Sequence, residues 1–289
     1  MEQVHESVKI IVLGTAQDGG YPHTGCYEDC CVNAWGDEGK RRFVSSIALL
    51  IGTDCYIFDI TPDFKYQYKM LGDYLGVKPD IKGIFITHAH IGHYSGLLEL
   101  GLESMNTDQI PIYLMSKMRS FIENNAPFTQ LVKLKNIKMI NLKENITINI
   151  ADYVKVIPFQ VPHRNEFSET VGFTIKSENE SVLYIPDIDS WEKWELNIVD
   201  IIRKHTLLFL DGTFYDKKEL KSRSIAEIPH PSIKESINKF SPLGIIDRKK
   251  VNFIHLNHTN NAIREDSAER KKVEYEGYNI AHDGMVYSI

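Results

Sequence analysis

Short apolar runs bounded by polar or glycine-containing turns occupy most of the first half of the chain. Residues 8–13 are apolar and β-branched, and residues 46–51 and 55–60 form two more such runs with Gly52 between them. Runs of this length and composition are typical of β-strands, and the short separation of the second and third predicts a hairpin. Further strands are predicted at residues 81–87, 110–114, 137–142, 146–150, 154–161, 171–177, 181–185, 207–210, 251–256 and 285–288.

Longer stretches between these runs predict helices. Residues 62–75 have Pro62 near their start and Gly76 after their end, the residue types that favour the two ends of a helix. Trp191 and Trp194, with acidic neighbours, indicate an amphipathic surface helix at residues 191–204. Because strands come in groups with helices between the groups, we expect two sheets with helices outside them, in a single domain spanning residues 1–289. The other predicted helices cover residues 94–101, 117–125, 232–240 and 266–276.

The composition is that of an ordinary globular protein. Hydrophobic residues make up 43% of the chain, and 33 Lys+Arg stand against 39 Asp+Glu, for a net charge of −6. Without a long basic run, nucleic acid is not an expected partner, and no apolar stretch is long enough for a membrane span. The first residues lack the basic and apolar segments of a secretion signal, so we expect a cytoplasmic protein. The sequence is compatible with a homodimer.

Residues 87–93 carry three histidines directly after an apolar run. In an extended segment His88 and His90 point the same way, and Gly92 lets the chain turn so that His93 approaches from another side. Three neutral imidazoles aimed at one point favour a transition-metal site. A surface histidine cluster is the alternative, but side chains at the end of a buried strand need partners.

Other apolar runs also end in residues that bind metals. His163 follows residues 154–161, Asp187 follows residues 181–185, and His255 lies near the end of residues 251–256. Taken singly, such a residue is more often a cap or a hydrogen-bonded loop residue. As a set they repeat the pattern of the histidine motif, which predicts that they gather at one rim of the sheets.

These motifs resemble the metallo-β-lactamase superfamily. His88, His90 and His93 match its His-x-His-x-Asp-His signature. Residues 13–22, 253–260 and 283–285 are similar to the PqqB family, which is associated with pyrroloquinoline-quinone biosynthesis, and to the phosphodiesterase of the carbon–phosphorus lyase pathway. The resemblance implies an α/β (α+β) fold, the four-layer αββα sandwich.

The resemblance also implies an active centre that holds zinc, manganese or iron, as one or two ions. Its first metal would be held by His88, His90 and His163, and its second by His93 and His255, with Asp187 bridging the two. Gly92 stands where the superfamily has an aspartate ligand. The centre is then either mononuclear or completed by another carboxylate, for which the candidates are Asp189, Glu166 and Asp211.

Three of the four cysteines lie close together, at Cys26, Cys30 and Cys31. In a cytoplasmic chain such a cluster favours metal ligands or reactive thiols over a disulfide. The related families have a Cys-x-Cys-x-x-Cys knuckle here, which with a later histidine closes a structural zinc site. By this resemblance Cys26, Cys31 and His258 would bind zinc, and Cys30 would be the third thiolate because Glu28 occupies the middle position. Unligated thiols are the alternative.

Two functions remain in competition at the sequence level. The first, whose substrate class is implied by the resemblance alone, is a metal-dependent hydrolase of a small-molecule phosphodiester or ester, in which Asp187 positions the attacking water and His230 is a candidate proton donor. For His230 itself, a packed loop histidine is the more common case. The second is an iron-dependent oxidoreductase or oxygenase in the biosynthesis of a cofactor such as pyrroloquinoline quinone, because two histidines and one carboxylate suit iron. A binding protein with a vestigial metal centre is a third reading.

Overall fold

The computed structural model describes residues 6–219 and 228–289, so residues 1–5, used above for the absence of a secretion signal, lie outside it. Two seven-stranded sheets form the centre of the fold. The first contains β1 (Val8–Gly14), β2 (Ser46–Ile51), β3 (Asp54–Phe58), β4 (Asp80–Phe85), β5 (Ile110–Leu114), β6 (Ile137–Asn141) and β14 (Val286–Ser288). The second contains β7 (Ile148–Ala151), β8 (Val154–Gln160), β9 (Val171–Lys176), β10 (Ser181–Ile185), β11 (Leu207–Asp211), β12 (Val251–Ile254) and β13 (Asn279–Ile280).

Helices cover the outer faces of both sheets. Against the first sheet lie residues of α2 (Phe64–Leu75), α4 (Ser116–Asn124) and α5 (Phe128–Lys133), and against the second lie residues of α6 (Ile198–Lys204), α7 (Ile233–Lys239) and α9 (Ala268–Tyr275). The shorter helices are α1 (Val32–Trp35), α3 (Ile91–Tyr94) and α8 (Ile245–Arg248). The predicted four-layer αββα sandwich is confirmed. None of the helices in residues 6–219 and 228–289 is long and apolar enough to cross a membrane.

Alternation along the strands explains why both sheets are apolar on each face. In β3, Tyr56 and Phe58 face the core between the sheets, whereas Cys55 and Ile57 face the helices outside. Successive side chains of a strand point to opposite faces, so a strand buried on both sides becomes a continuous apolar run. This is the reason that the strands were visible in the sequence.

Strand direction brings the ends of distant segments to one rim. In the first sheet β2 is antiparallel to both β1 and β3, and β4 is parallel to β3, so β1, β3 and β4 run the same way. In the second sheet β9 is antiparallel to both β8 and β10, and β11 and β12 continue parallel to β10. The loops at one rim therefore follow the carboxyl ends of seven strands: β1, β3 and β4 in the first sheet and β8, β10, β11 and β12 in the second.

Most predicted elements are present, and the hairpin of β2 and β3 forms as expected. Helix α2 ends at Gly76 with φ of 70°, the left-handed conformation that glycine accepts most easily. The predicted helix at 94–101 is instead the short α3 followed by a 3₁₀ segment, Ser95–Leu100. The strand β13 and the helices α1, α5 and α8 were not predicted, because two to six residues carry little periodicity.

The expectation of an amphipathic surface helix at 191–204 is wrong. Only its last part, α6, is helical, and it begins where the Asn197 side chain accepts a hydrogen bond from the backbone N–H of Val199. Trp191 and Trp194 are 3% and 8% exposed and belong to the core outside the second sheet. Their indole N–H groups donate to Ser236 Oγ and to the Gln160 carbonyl, so both rings are buried without leaving a polar atom unpaired.

Candidate metal centre

The rim of the sandwich gathers the predicted ligands from both sheets. The loop after β4 supplies His88, His90 and His93, while His163 follows β8, Asp187 follows β10 and His255 follows β12. All of these side chains except His90 are at most 4% exposed. A cleft of about 790 Å³ opens beside them, lined by Asp18, Arg164, Asp187, His230 and His255 among others.

Three imidazoles and one carboxylate form the first group. His90 Nδ1 lies 2.8 Å from His88 Nε2 and 3.3 Å from His163 Nε2, and Asp187 Oδ2 lies 3.3 Å from His88 Nε2. Nitrogens with lone pairs repel one another at such distances unless a proton or a cation lies between them. The group thus has the donor set and the spacing of a transition-metal site.

The tautomer of His88 follows from its neighbours. Thr87 Oγ1 has a single hydrogen, which it donates to the Asp59 carboxylate at 2.9 Å. Thr87 must therefore accept the 2.9 Å hydrogen bond that it shares with His88 Nδ1. Nδ1 carries the proton, and Nε2 presents its lone pair to the centre.

The same arrangement recurs in the second sheet. Thr213 Oγ1 donates to Asp211 Oδ1 at 2.8 Å and accepts from His255 Nδ1 at 2.9 Å. His163 Nδ1 similarly donates to Asp189 Oδ1 at 3.1 Å. These hydrogen bonds fix the orientation of each ring, a common feature of histidines that bind metals.

His93 and His255 form the second group. His93 Nδ1 donates to Asp59 Oδ2 at 2.8 Å, and its Nε2 lies 3.4 Å from Asp187 Oδ2. Burial would lower the pKa of His93, but Asp59, Asp18 and Asp187 outweigh burial and raise that pKa well above the usual value, so the ring must lose its Nε2 proton when a cation binds. His255 Nε2 lies 3.6 Å from the same oxygen. The Asp187 carboxylate thus stands between the two histidine groups, where a bridging ligand belongs.

A carboxylate does lie beside this second group, but the candidates inferred from the sequence were wrong. Asp189 is bonded to His163, Asp211 is bonded to His230 and Glu166 pairs with His90, so none of them reaches His93. The neighbouring carboxylate is Asp18, in the turn after β1. This residue was not singled out in the sequence.

Burial and charge act together on the titration of the centre. Burial holds the pKa of His88 and of His90 below the usual histidine value, so both are neutral at pH 7. Burial alone would raise the pKa of Asp187, but the surrounding His163, His255 and His230 outweigh it and hold that pKa well below the usual range. His88 and His90, next to the ionised Asp187, are thus in the protonation states that metal binding requires.

His230 lies at the edge of the first group. Its Nδ1 is 2.8 Å from Asp211 Oδ2 and 3.2 Å from Asp187 Oδ1. Burial would lower the pKa of His230, but the two carboxylates outweigh burial and raise it to about 9. His230 is therefore a protonated, cleft-lining imidazole at neutral pH, not a histidine packed in an apolar loop.

The cysteine cluster forms a second centre further along the same cleft. Cys30 Sγ lies 3.5 Å from Cys26 Sγ and 3.5 Å from His258 Nδ1, and Cys31 Sγ lies 3.4 Å from that nitrogen. Tetrahedral ligands about 2.0–2.3 Å from zinc lie about 3.3–3.8 Å apart, so these four side chains fit structural zinc. Cys30 stands in the group as anticipated, and Glu28 does not belong to it. His23, which the sequence did not single out, stacks on His258 with ring centroids 4.2 Å apart.

Sequence comparison identifies the family. Residues 53–256 match the model of the beta-lactamase superfamily domain. The chain belongs to this superfamily. It is similar to a coenzyme PQQ synthesis protein B of Xanthomonas oryzae pv. oryzae, with 26% identity over 96% of this chain and 99% of the relative. This agrees with the PqqB resemblance found in the motifs.

Solved structures extend the superfamily assignment to the fold. Zinc-bound PqqB from Methylobacterium extorquens superimposes with a TM-score of 0.82 at 23% identity, covering 97% of this chain and 100% of that one. A diphosphatase of the PhnP family gives a TM-score of 0.68 at 22% identity, covering 98% and 97%. Both therefore share the sandwich architecture with this superfamily member.

Proposed function

We propose that this protein is a metal-dependent hydrolase that directs water against a small phosphodiester or ester. The observation that carries the proposal is the position of Asp187, with one carboxylate oxygen 3.3 Å from His88 Nε2 and 3.4 Å from His93 Nε2. Imidazoles from both sheets thus face one buried carboxylate at the edge of a cleft. That constellation suits a hydrolytic metal centre better than a structural one, because substrate can approach it.

His88, His90, His163 and Asp187 would hold the first cation, for which zinc, manganese and iron are the candidates. These residues would place a cation where it would supply Lewis acidity to a ligated water and to the bond to be cleaved. The protein's own contribution is orientation. Thr87 and Asp189 fix two of the rings through their Nδ1 atoms, and Asp187 offers an oxygen that can orient the attacking water by accepting its proton.

His230 is the proposed proton donor to the leaving group. It lines the cleft, and its contact with Asp187 places it beside the first group. With a pKa raised to about 9 it holds its proton at neutral pH, which a general acid must do. Asp211 accepts from His230 Nδ1 and holds the ring in place.

The substrate class follows from the charge at the mouth of the centre. Arg164 lines the same cleft as Asp187 and His230, and its buried Nε has no hydrogen-bond partner. The nearest carboxylate, Glu166, lies 3.9 Å from its guanidinium, too far for a strong pair. A guanidinium whose Nε is unpaired beside a hydrolytic centre favours an anionic substrate, so a phosphodiester is preferred over a neutral ester.

The second candidate function is an iron-dependent oxidoreductase in cofactor biosynthesis. Two observations favour it: the first group contains histidines together with a carboxylate, which suits iron, and the curated relative is a coenzyme PQQ synthesis protein. The two reactions differ in what they consume. Hydrolysis needs only water, whereas oxidation needs an electron acceptor such as oxygen.

A paired assay decides between them. Protein loaded with Zn²⁺ or Mn²⁺ is given bis(p-nitrophenyl) phosphate, cyclic nucleotides and carboxylic esters, and protein loaded with Fe²⁺ is tested in parallel for oxygen consumption with a reduced quinone precursor. The proposal expects phosphodiester turnover without oxygen uptake, lost in His88→Ala. Oxygen uptake that depends on iron, with no hydrolysis of any substrate, would replace it with the second function.

A further inference from the structure

Residue 92 lacks a side chain because another residue fills its space. A Cβ built on Gly92 would lie 2.1 Å from Asp18 Oδ1 and 2.8 Å from Asp18 Cα. These distances are too short for any side chain, so glycine is required here as long as Asp18 keeps its place. The Asp18 carboxylate therefore occupies the position from which a residue-92 carboxylate would extend.

The oxygen of Asp18 faces the two imidazoles of the second histidine group. Asp18 Oδ1 lies 3.4 Å from His93 Nε2 and 3.8 Å from His255 Nε2. Ligands about 2.0–2.2 Å from one metal in tetrahedral geometry lie about 3.3–3.6 Å apart. The three atoms thus surround a space of the size of a ligated cation.

None of these three atoms is otherwise satisfied. Asp18 Oδ1, His93 Nε2 and His255 Nε2 are all buried without a hydrogen-bond partner, and the two histidines are at most 1% exposed. An unpaired buried polar atom is costly, and three that converge on one point indicate a ligand that binds them together. His93 Nδ1 is bonded to Asp59 and His255 Nδ1 to Thr213, so each ring in its neutral form directs the Nε2 lone pair into this space.

A short chain of amides holds Asp18 in position. Asn257 Nδ2 donates to Gln17 Oε1 at 3.3 Å, and Gln17 Nε2 donates to Asp18 Oδ2 at 2.9 Å. Asn257 lies two residues after His255, so the loop after β12 orients both a histidine and the carboxylate opposite it. The outer oxygen of Asp18 is bonded, and the inner one is directed into the centre.

We propose that Asp18 is a ligand of a second divalent cation, together with His93, His255 and the Asp187 oxygen between the two groups. The carboxylate expected at position 92 comes instead from the turn after β1. One oxygen from each of two carboxylates and two imidazole nitrogens suit Zn²⁺, Mn²⁺ or Fe²⁺. This inference rests on the metal centre proposed above, but not on the reaction that the centre catalyses.

The test counts Mn²⁺ ions in protein that retains zinc in its cysteine cluster. Mn²⁺ prefers oxygen and nitrogen ligands to thiolates, so it reports the histidine centre alone. Calorimetry with the wild-type protein should show two Mn²⁺ per chain, and electron paramagnetic resonance should show the exchange-coupled signal of two ions about 3.5–4 Å apart. Asp18→Asn should bind the second Mn²⁺ at least about 100-fold more weakly and show only the six-line signal of an isolated ion.

Asp29→Asn is the matched control, because Asp29 is an exposed aspartate on the same cleft. It should bind two coupled Mn²⁺ ions as the wild type does. The proposal is overturned if Asp18→Asn retains two coupled ions, or if wild-type protein binds one Mn²⁺ at the histidine centre and never a second. Circular dichroism and the zinc content of the cysteine cluster establish that each variant is folded.

Gly92→Ala provides a second variant that removes no carboxylate. Its methyl group would displace Asp18 Oδ1, so the second Mn²⁺ should be lost while the first is kept. Two coupled ions in Gly92→Ala would contradict the claim that this oxygen occupies the ligand position. Because these readouts do not use turnover, a coupled pair that depends on Asp18 supports the inference even in a protein that hydrolyses nothing.

Discussion

The two ligand clusters of this protein share one cleft but are built from different chemistry. Around the histidine centre, the four rings whose Nε2 faces Asp187 have their Nδ1 bonded to a threonine or an aspartate, as His88 is to Thr87 and His93 is to Asp59. The cysteine cluster contains three thiols and one imidazole and no carboxylate. Hydrogen bonds to the outer nitrogens orient the rings of the histidine centre, which faces the cleft. The cysteine cluster, in contrast, offers all four ligands that a tetrahedral site needs.

The difference shows how one fold assigns two roles to metal ligands. A zinc ion held by three thiolates and one histidine would have no position left for substrate, and it would tie the loop after β1 to the loop after β12. The histidine centre opens on the cleft, which leaves room for water and substrate. Changes to the histidine centre should therefore alter activity and changes to the cysteine cluster should alter stability, and the following predictions test that division.

The largest expected effect is the loss of activity in His88→Ala. Removing a ligand of the first cation should remove several kcal/mol of stabilisation of the transition state, which corresponds to a decrease in kcat/KM of about 10³-fold or more. The melting temperature of the zinc-loaded protein should change little. His205→Ala, at a histidine that follows α6 and bonds the Ile201 carbonyl, is the control and should keep full activity. Equal activity of the two variants would refute the assignment of His88.

Cys31→Ser should have the opposite profile. We expect one zinc fewer per chain and a loss of several kcal/mol in the free energy of unfolding, less than the about 10–16 kcal/mol that zinc contributes in isolated finger peptides, because the apolar core remains. Cys55→Ala, in the buried β3, should keep its zinc and cost about 1 kcal/mol. Guanidinium unfolding and metal analysis measure both quantities. A Cys31→Ser protein with full zinc content would contradict the assignment of Cys31 as a zinc ligand.

The two clusters should also respond differently to pH. Burial and neighbouring thiols raise the pKa of Cys30 and raise that of Cys31 to about 12, so both thiols are protonated at pH 7 and must release protons when zinc binds. Zinc affinity of the cysteine cluster should therefore rise with pH, by at least about 100-fold per unit for the two protons that Cys30 and Cys31 release. His88 and His90 have lowered pKa values and are already neutral, so the first cation of the histidine centre should change affinity less.

Competition with a chelator at about pH 6.5 and pH 7.5 measures this difference. Metal-free Cys31→Ser disables the cysteine cluster, and metal-free protein with His88→Ala and Asp18→Asn combined disables both cation positions of the histidine centre, so each variant reports the other cluster in the same titration. A cysteine cluster whose zinc affinity does not change with pH would contradict the assignment of its thiols as ligands.

The smallest of the four effects is expected from Asp59→Asn. Asp59 accepts from His93 Nδ1 and from Thr87, so it is a positioning residue for two of the rings. Its loss should weaken metal binding or activity about 10- to 100-fold, as for other partners of metal-binding histidines. The Kd for Mn²⁺ is the deciding readout. If Asp59 served only in packing, Asp59→Asn would lower the melting temperature but leave this Kd unchanged. Asp80→Asn, on the exposed start of β4, is the control.

The sequence predicted the fold and the inner ligands because both leave strong local signals. Strands buried on two faces are continuous apolar runs, and His88, His90 and His93 lie within six residues of one another. His163, Asp187 and His255 were found by one rule, a polar residue directly after an apolar run. Parallel strand direction then brings these ends to one rim.

The supporting residues were missed although some obey the same rule. Asp59 directly follows β3, and Thr87 is the second residue after β4. The neighbouring sequence, however, does not distinguish a residue that orients a histidine from one that caps a strand or a turn. Asp18 was missed for a different reason. Its partners His93 and His255 are distant in the chain, and only the folded structure reveals that a carboxylate in the first turn fills the space above Gly92. Trp191 and Trp194 were assigned to a surface helix because acidic residues lie beside them in the sequence, whereas both rings are buried.

The central claim is that histidines from both sheets hold a cation beside Asp187. Crystals grown with Zn²⁺ and measured on both sides of the zinc absorption edge test it most directly. The account predicts anomalous density within about 2.0–2.2 Å of His88 Nε2, His90 Nδ1 and His163 Nε2, in addition to density at the cysteine cluster. Anomalous density at the cysteine cluster alone, with the histidines hydrogen-bonded only to one another and to water, would contradict it.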